Sequence, residues 1–223
     1  MSYTTYLFDF DYTLADSSCG IILCFRNVLQ RHNYTNVTDD AIKRTIGKTL
    51  EESFSILTGI MDTEQLAALR KEYSKESDQY MNINTHLFDD TLPTLLKLKE
   101  EGNRLGIIST KYRFRIQDFM RKQLPEEWFN IIVGGEDVNH PKPNPEGLLF
   151  AMKKLNVTPE ETMYIGDSIV DAETAQAAGV SFTGITSGVT RSEELAQYPH
   201  VKIISNLREL TDLPKTLFLL RNT

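Results

Sequence analysis

The chain has 223 residues, with 31 acidic against 24 basic side chains and a net charge of −7. That length suits one large domain, or one domain carrying a sizeable insertion. The acidic balance excludes nucleic acid as a general partner, since a phosphate backbone needs a basic face, but leaves room for a small anionic substrate held by local cations.

Thr4 to Phe8 reads as a short buried strand that runs into Asp9 and Asp11. Side chains on a strand alternate with period two, so a strand that delivers Asp9 at its edge delivers Asp11 on the same side. Two such carboxylates repel, and call for a shared proton or a hard, oxygen-liking cation such as Mg²⁺. The chain does not open on a basic stretch followed by a long apolar one, and no apolar run nears the ~20 residues of a membrane span. No membrane partner and a cytoplasmic location are therefore expected.

Asp16, Ser17 and Ser18 offer N-cap oxygens for a helix whose apolar stripe includes Ile21, Phe25, Val28 and Leu29, with His32 at its end. Cys19 and Cys24 fall on this helix; they are read as two buried thiols, with no second pair to complete a zinc site. Thr38-Asp39-Asp40 caps a short helix, Gly47 interrupts it, and Leu50, Phe54 and Leu57 resume helical spacing. Thr63 through Tyr80 is a longer amphipathic helix with Leu66, Leu69 and Tyr73 on one side. No strand pattern breaks this block, which reads as a compact helical insertion.

After Thr85 short apolar strands alternate with helices. Asp89 and Asp90 are placed to cap a helix from Thr91 to Glu101. Strands follow at Leu105–Ile108, Ile131–Val133, Thr162–Ile165, Val180–Ile185 and Val201–Ile204, with helices over Arg113–Gln123, Glu146–Leu155 and Ile169–Ala178 and a short one at Leu207–Leu210. This alternation predicts a doubly wound parallel α/β sheet, in which ligands sit beyond the carboxyl ends of the strands. Four strands are followed by polar residues: Asp9 and Asp11, Ser109 and Thr110, Lys142, and Asp167. In register, they would ring one crevice.

With these residues in place, the sequence resembles the haloacid dehalogenase-like hydrolases. Their four motifs occur in order: Asp9-Phe10-Asp11-Tyr12-Thr13, Ser109 at a strand end, Lys142 in a K-P-N-P-E loop, and Gly166-Asp167-Ser168-Ile169-Val170-Asp171. The resemblance implies a Rossmann-like core over residues 1–15 and 86–223 and a smaller all-α cap over 16–85, as in phosphoglycolate phosphatase-like members. It implies Asp9 as a nucleophile forming an aspartyl-phosphate, and Asp11 as the acid and then the base. Mg²⁺ would be bound by Asp9, the backbone carbonyl of Asp11 and Asp167. Ser109 and Lys142 would hold phosphoryl oxygens, with backbone N–H groups near Phe10 and Thr110. Asp171 would orient the site or act through water on the metal, and Thr13 would shape the turn. Tyr12 stands where the family commonly has Gly, and Thr110-Lys111 where phosphoglycolate phosphatases frequently have Asn-Lys.

The expected activity is Mg²⁺-dependent hydrolysis of a small phosphorylated metabolite, closest to phosphoglycolate phosphatase, by a monomer or weak homodimer. Inorganic pyrophosphatase is the alternative on the same scaffold. Lys48, in the turn Ile46-Gly47-Lys48-Thr49-Leu50, could cover an anionic tail in either case. A phosphosugar mutase ranks lower, because the helical block lacks the Arg-x-x-Lys pair that would grip a second phosphate. Dehalogenation has no use for the second carboxylate, Asp11. A non-catalytic phosphate-binding protein would be expected to lack Asp9 or Lys142.

Overall fold

The computed structural model describes residues 3–125 and 128–211. The ends of the expected core segments, residues 1–2 and 212–223, lie outside them. The order is β1 (Thr5–Phe8), β2 (Ala15–Asp16), α1 (Ser18–Arg31), α2 (Asp39–Lys43), α3 (Leu50–Thr58), α4 (Thr63–Tyr80) and β3 (His86–Leu87). It continues with α5 (Thr91–Glu100), β4 (Arg104–Ile108), α6 (Arg113–Met120), β5 (Ile131–Val133), α7 (Glu146–Leu155), β6 (Thr162–Gly166), α8 (Ile169–Ala178), β7 (Ser181–Ile185), α9 (Ser192–Leu195) and β8 (Lys202–Ile204).

Six strands form one parallel sheet in the order β5-β4-β1-β6-β7-β8. The fold is thus α/β, with β1 central between β4 and β6. Helices cover both faces, as parallel strands require. Alternation along β1 serves both: Leu7 packs on one side with Ile108, Tyr164 and Phe182, and Phe8 on the other with Ile107, Ile165 and Leu105. Gly106 in β4 sits where a Cβ would lie 2.6 Å from a Leu7 methyl and 2.8 Å from an Ile131 methyl, so any side chain there would require these neighbours to shift.

The helices α1 to α4 close around a third apolar cluster, in which the rings of Phe25, Phe54 and Tyr73 meet tilted or edge-on among Leu29, Leu66 and Leu69. Thr38, Thr49 and Asp62 each cap their helix through the side chain. The chain leaves the sheet for this layer through β2 and returns through β3, and the two pair antiparallel, Ala15 with Leu87 and Asp16 with His86. Among the described residues no helix is long and apolar enough to cross a membrane.

Three local expectations are corrected. Ser17 occupies the N-cap of α1 but does not cap it; its hydroxyl goes to Asp11 instead. Asp90 does not cap α5; its carboxylate accepts the backbone N–H of Leu207. Of the two cysteines only Cys24 is buried, and Cys19 is exposed. Five residues advance a helix by about 140° beyond a full turn, so the two thiols cannot share a face.

Candidate active site

The crevice lies at the carboxyl ends of β1, β4 and β6. β1 ends at Phe8, and the chain then turns tightly, with the Phe10 carbonyl accepting the N–H groups of Thr13, Leu14 and Ala15. Tyr12 takes a left-handed conformation in this turn, φ 59°, which accounts for glycine being common at that place. Asp9 and Asp11 lie beyond the last residue of β1, and their carboxylates find different partners, while the charge of Asp11 still acts on Asp9.

Asp9 faces Lys142. Both are nearly inaccessible, and Lys142 Nζ lies 3.0 Å from Asp9 Oδ1. The ammonium also donates to Asp171 Oδ1 at 2.6 Å and to the Tyr164 hydroxyl at 3.1 Å. Asp171 is fully committed: Tyr164 donates to Oδ1 at 2.8 Å, and Ser168 donates to Oδ2 through its hydroxyl at 2.6 Å and its N–H at 3.1 Å. Burial alone would lower the Lys142 ammonium's pKa, but Asp171 and Asp9 outweigh it and raise the value. Gly166 precedes this network because a Cβ there would lie 2.4 Å from the Asp171 carboxyl carbon.

Asp9, Asp167 and Asp171 bring one carboxylate oxygen each within 4.8 Å of the others, all buried. Burial pushes the Asp9 carboxyl up to about 7 despite the pull of Lys142, with Asp171 and Asp11 adding to the rise. Asp167 is raised as well, by burial first and then by Asp171 and Asp9. Asp9 Oδ1 receives no well-directed hydrogen bond. Two buried carboxylates, one of whose oxygens meets only the Lys142 ammonium, in an all-oxygen donor set, fit a hard divalent cation between Asp9 and Asp167. Asp171 has no oxygen to spare. Thr13 donates to Asp167 at 3.5 Å, and Gly188 leaves Asp167 its room, since a Cβ there would sit 2.0 Å from Oδ2.

Asp11 has partners of its own. One oxygen, Oδ1, accepts from the Ser17 hydroxyl and from Lys111 Nζ, the latter at 2.7 Å. Lys111 is held in turn over the Phe10 ring, 5.2 Å from its centroid, and its N–H donates to the Ser109 hydroxyl at 3.3 Å. Asp11, Thr110 and Lys111 form the floor of a cavity of about 300 Å³ that opens between the sheet and the helical layer. Lys48 lines its upper wall, paired with Glu52 at 2.6 Å, and Thr110 donates to the Gly47 carbonyl across the gap at 3.2 Å.

A sequence model of the haloacid dehalogenase-like hydrolase family matches residues 6–185, most of the chain. The chain belongs to the haloacid dehalogenase-like hydrolases. A relative named phosphoglycolate phosphatase, from Colwellia psychrerythraea, is 34% identical over 199 residues, covering 86% of this chain and 88% of its own. A pyrophosphatase PpaX from Oceanobacillus iheyensis is 28% identical over 210 residues, covering 94% and 96%. A haloacid dehalogenase-like hydrolase of known structure from Bacteroides fragilis superposes with a TM-score of 0.93 at 67% identity, covering 94% of this chain and all of that one.

For this haloacid dehalogenase-like hydrolase, all four motifs meet at one sheet edge. Several contributors carry no motif of their own: Tyr164 inside β6, Ser17 and Gly188. Ser168 was legible through its spacing to Asp171, since S-x-x-D before a helix is a capping box, and the structure contains that box.

Proposed function

We propose that this hydrolase is a Mg²⁺-dependent phosphatase that cleaves the phosphate monoester of a small metabolite through an aspartyl-phosphate on Asp9. The observation that carries this reading is the buried Asp9 carboxylate, set between Lys142 and Asp167 at the end of the central strand. The names of the relatives support a phosphatase, and put phosphoglycolate and pyrophosphate among the substrates to test.

In the first half-reaction an Asp9 oxygen attacks phosphorus and the ester P–O bond breaks. Its electron pair stays on the leaving oxygen, which takes a proton from Asp11. In the second, water attacks phosphorus, Asp11 takes its proton, and the bond to Asp9 breaks to release phosphate and restore the carboxylate. Lys142 and Ser109 hold phosphoryl oxygens throughout, helped by backbone N–H groups near Phe10 and Thr110. Asp171, Tyr164 and Ser168 keep Lys142 in place. Asp9, Asp167 and the backbone carbonyl of Asp11 would hold Mg²⁺, which would supply positive charge that offsets repulsion between nucleophile and substrate.

This reading treats residues 16–85 as a cap over a core of 1–15 and 86–223. Closure of the cap would exclude bulk water and leave the attacking molecule to Asp11. The test is phosphate release from p-nitrophenyl phosphate and a metabolite panel, with and without Mg²⁺. Turnover that needs Mg²⁺ and is lost by at least about a thousandfold in Asp9→Asn is expected. Full activity in Asp9→Asn, or no release from any phosphate ester, overturns it.

A further inference from the structure

We propose that Ser187 is a positioning residue for the metal site: its hydroxyl pins the turn after β1 in the conformation that lets the Asp11 carbonyl serve as a ligand. This rests on the Mg²⁺ dependence of the proposed function and extends it to a loop that none of the four motifs covers.

The chain leaves β7 at Ile185, and β7 lies two strands from β1, with β6 between them. The loop nevertheless reaches back to the β1 turn, where the Ser187 hydroxyl donates to the Tyr12 carbonyl. It therefore crosses the carboxyl end of β6, the strand that Asp167 follows. Gly188 lies against both sides of that crossing. A Cβ there would sit 2.0 Å from Asp167 Oδ2 and 3.2 Å from the Tyr12 Cβ. Thr13, the next residue of the turn, donates to Asp167 Oδ1 at 3.5 Å. The loop after β7 thus braces the two turns that carry the candidate ligands against each other.

What it braces is strained. Tyr12 has φ 59°, a region that bulky residues occupy only where their surroundings over-determine it. Its ring is buried, its phenol is hydrogen-bonded with Ser18, and its N–H donates to the Ala15 carbonyl at 2.7 Å. Ser187 holds the remaining polar group, the carbonyl. The planar peptide joining Asp11 to Tyr12 is oriented by the ψ of Asp11 and the φ of Tyr12, and its oxygen is the Asp11 carbonyl. Relaxation of Tyr12 to negative φ would swing that oxygen. Glycine at the same place would hold φ 59° without help, because it has no Cβ to strain. The need for the Ser187 hydroxyl therefore follows from the tyrosine.

The experiment measures Mg²⁺ binding to the metal-free protein by titration calorimetry, so that no turnover enters the readout. Ser187→Ala is expected to raise the Kd for Mg²⁺ by about tenfold or more, and Ser187→Thr, which keeps the hydroxyl, to stay within about threefold of the parent. A role confined to packing would lower the metal-free Tm and leave that Kd alone. In a Tyr12→Gly background, Ser187→Ala is expected to change the Kd by less than about threefold. Tyr12→Asn takes the place of Tyr12→Gly if loss of the ring unfolds the latter, since Asn also enters this region readily. A parent-like Kd in Ser187→Ala, a Kd in Ser187→Thr as weak as in Ser187→Ala, or the same tenfold loss in both backgrounds overturns the proposal. Failure of the phosphatase reading looks different: a parent protein that binds no Mg²⁺, or that releases no phosphate from any ester.

Discussion

Asp171 holds Lys142 by a 2.6 Å contact while having no solvent exposure of its own. Removing one partner of such a buried pair leaves the other charge uncompensated, at a cost of about 3–5 kcal/mol. Asp171→Asn is therefore expected to lower Tm by on the order of 10 °C and to reduce kcat by at least about a hundredfold. Thermal melts followed by circular dichroism, together with steady-state kinetics, check both. A variant as stable and as active as the parent would remove Asp171 from this role.

The Asp9 carboxyl, raised to about 7 chiefly by burial, sets a pH dependence. Its ordinary value is about 3.9, so the folded state binds this proton more tightly than the unfolded chain does. The resulting stability is present in full below about pH 4 and is lost as pH climbs through about 7. Asp167 shifts in the same direction. A divalent ion competes with those protons, so the Tm gain on adding Mg²⁺ should grow from about pH 5 to about pH 7 and then level off. A gain that is constant across that range would contradict the assignment.

Gly188→Ala tests the room kept for Asp167. The added methyl carbon would start 2.0 Å from Asp167 Oδ2, at the free end of a side chain that can swing away. The fold can absorb this for about 1–3 kcal/mol, but the carboxylate would leave its place. The Mg²⁺ concentration giving half-maximal activity should rise by about tenfold or more. An unchanged Mg²⁺ requirement would show that Asp167 need not stay where it is.

Ser17→Ala separates capping from catalysis. An N-cap serine that bonds its own helix contributes about 1 kcal/mol, but Ser17 gives its hydroxyl to Asp11. Stability should fall by about 1.5–3 kcal/mol, because Ser17 is buried and its hydroxyl bonds a charged carboxylate. Turnover should fall more on alkyl phosphates, whose leaving oxygen needs a proton, than on p-nitrophenyl phosphate. Equal losses on both substrates would argue against Ser17 acting through Asp11.

Much of this was legible in the sequence wherever one local force acts alone. α4, α7, α8 and β5 begin and end where their periodicity, caps and glycines place them. The four polar strand ends converge because parallel strands share one carboxyl edge. Illegible were the places where a side chain chooses between a near partner and a far one. Ser17 and Asp90 both have the chemistry of a cap, and both are drawn to partners outside their own helix turn. Tyr164 reads as one more apolar strand residue, yet its hydroxyl reaches Lys142 and Asp171. The paired strands β2 and β3, two residues each, are too short for any period to register.

That small pairing would constrain the helical layer if, as proposed, it closes as a cap. Both chain crossings run side by side and are stitched together, with Phe88 also donating to the Leu14 carbonyl. A stitched ribbon folds across its plane far more readily than it slides or twists within it. If α1 to α4 move as the cap of the proposed function, this pairing would favour a single angle, as a page turns on its spine. Lys48 and Arg70 would return to the same alignment above Asp11 after every swing.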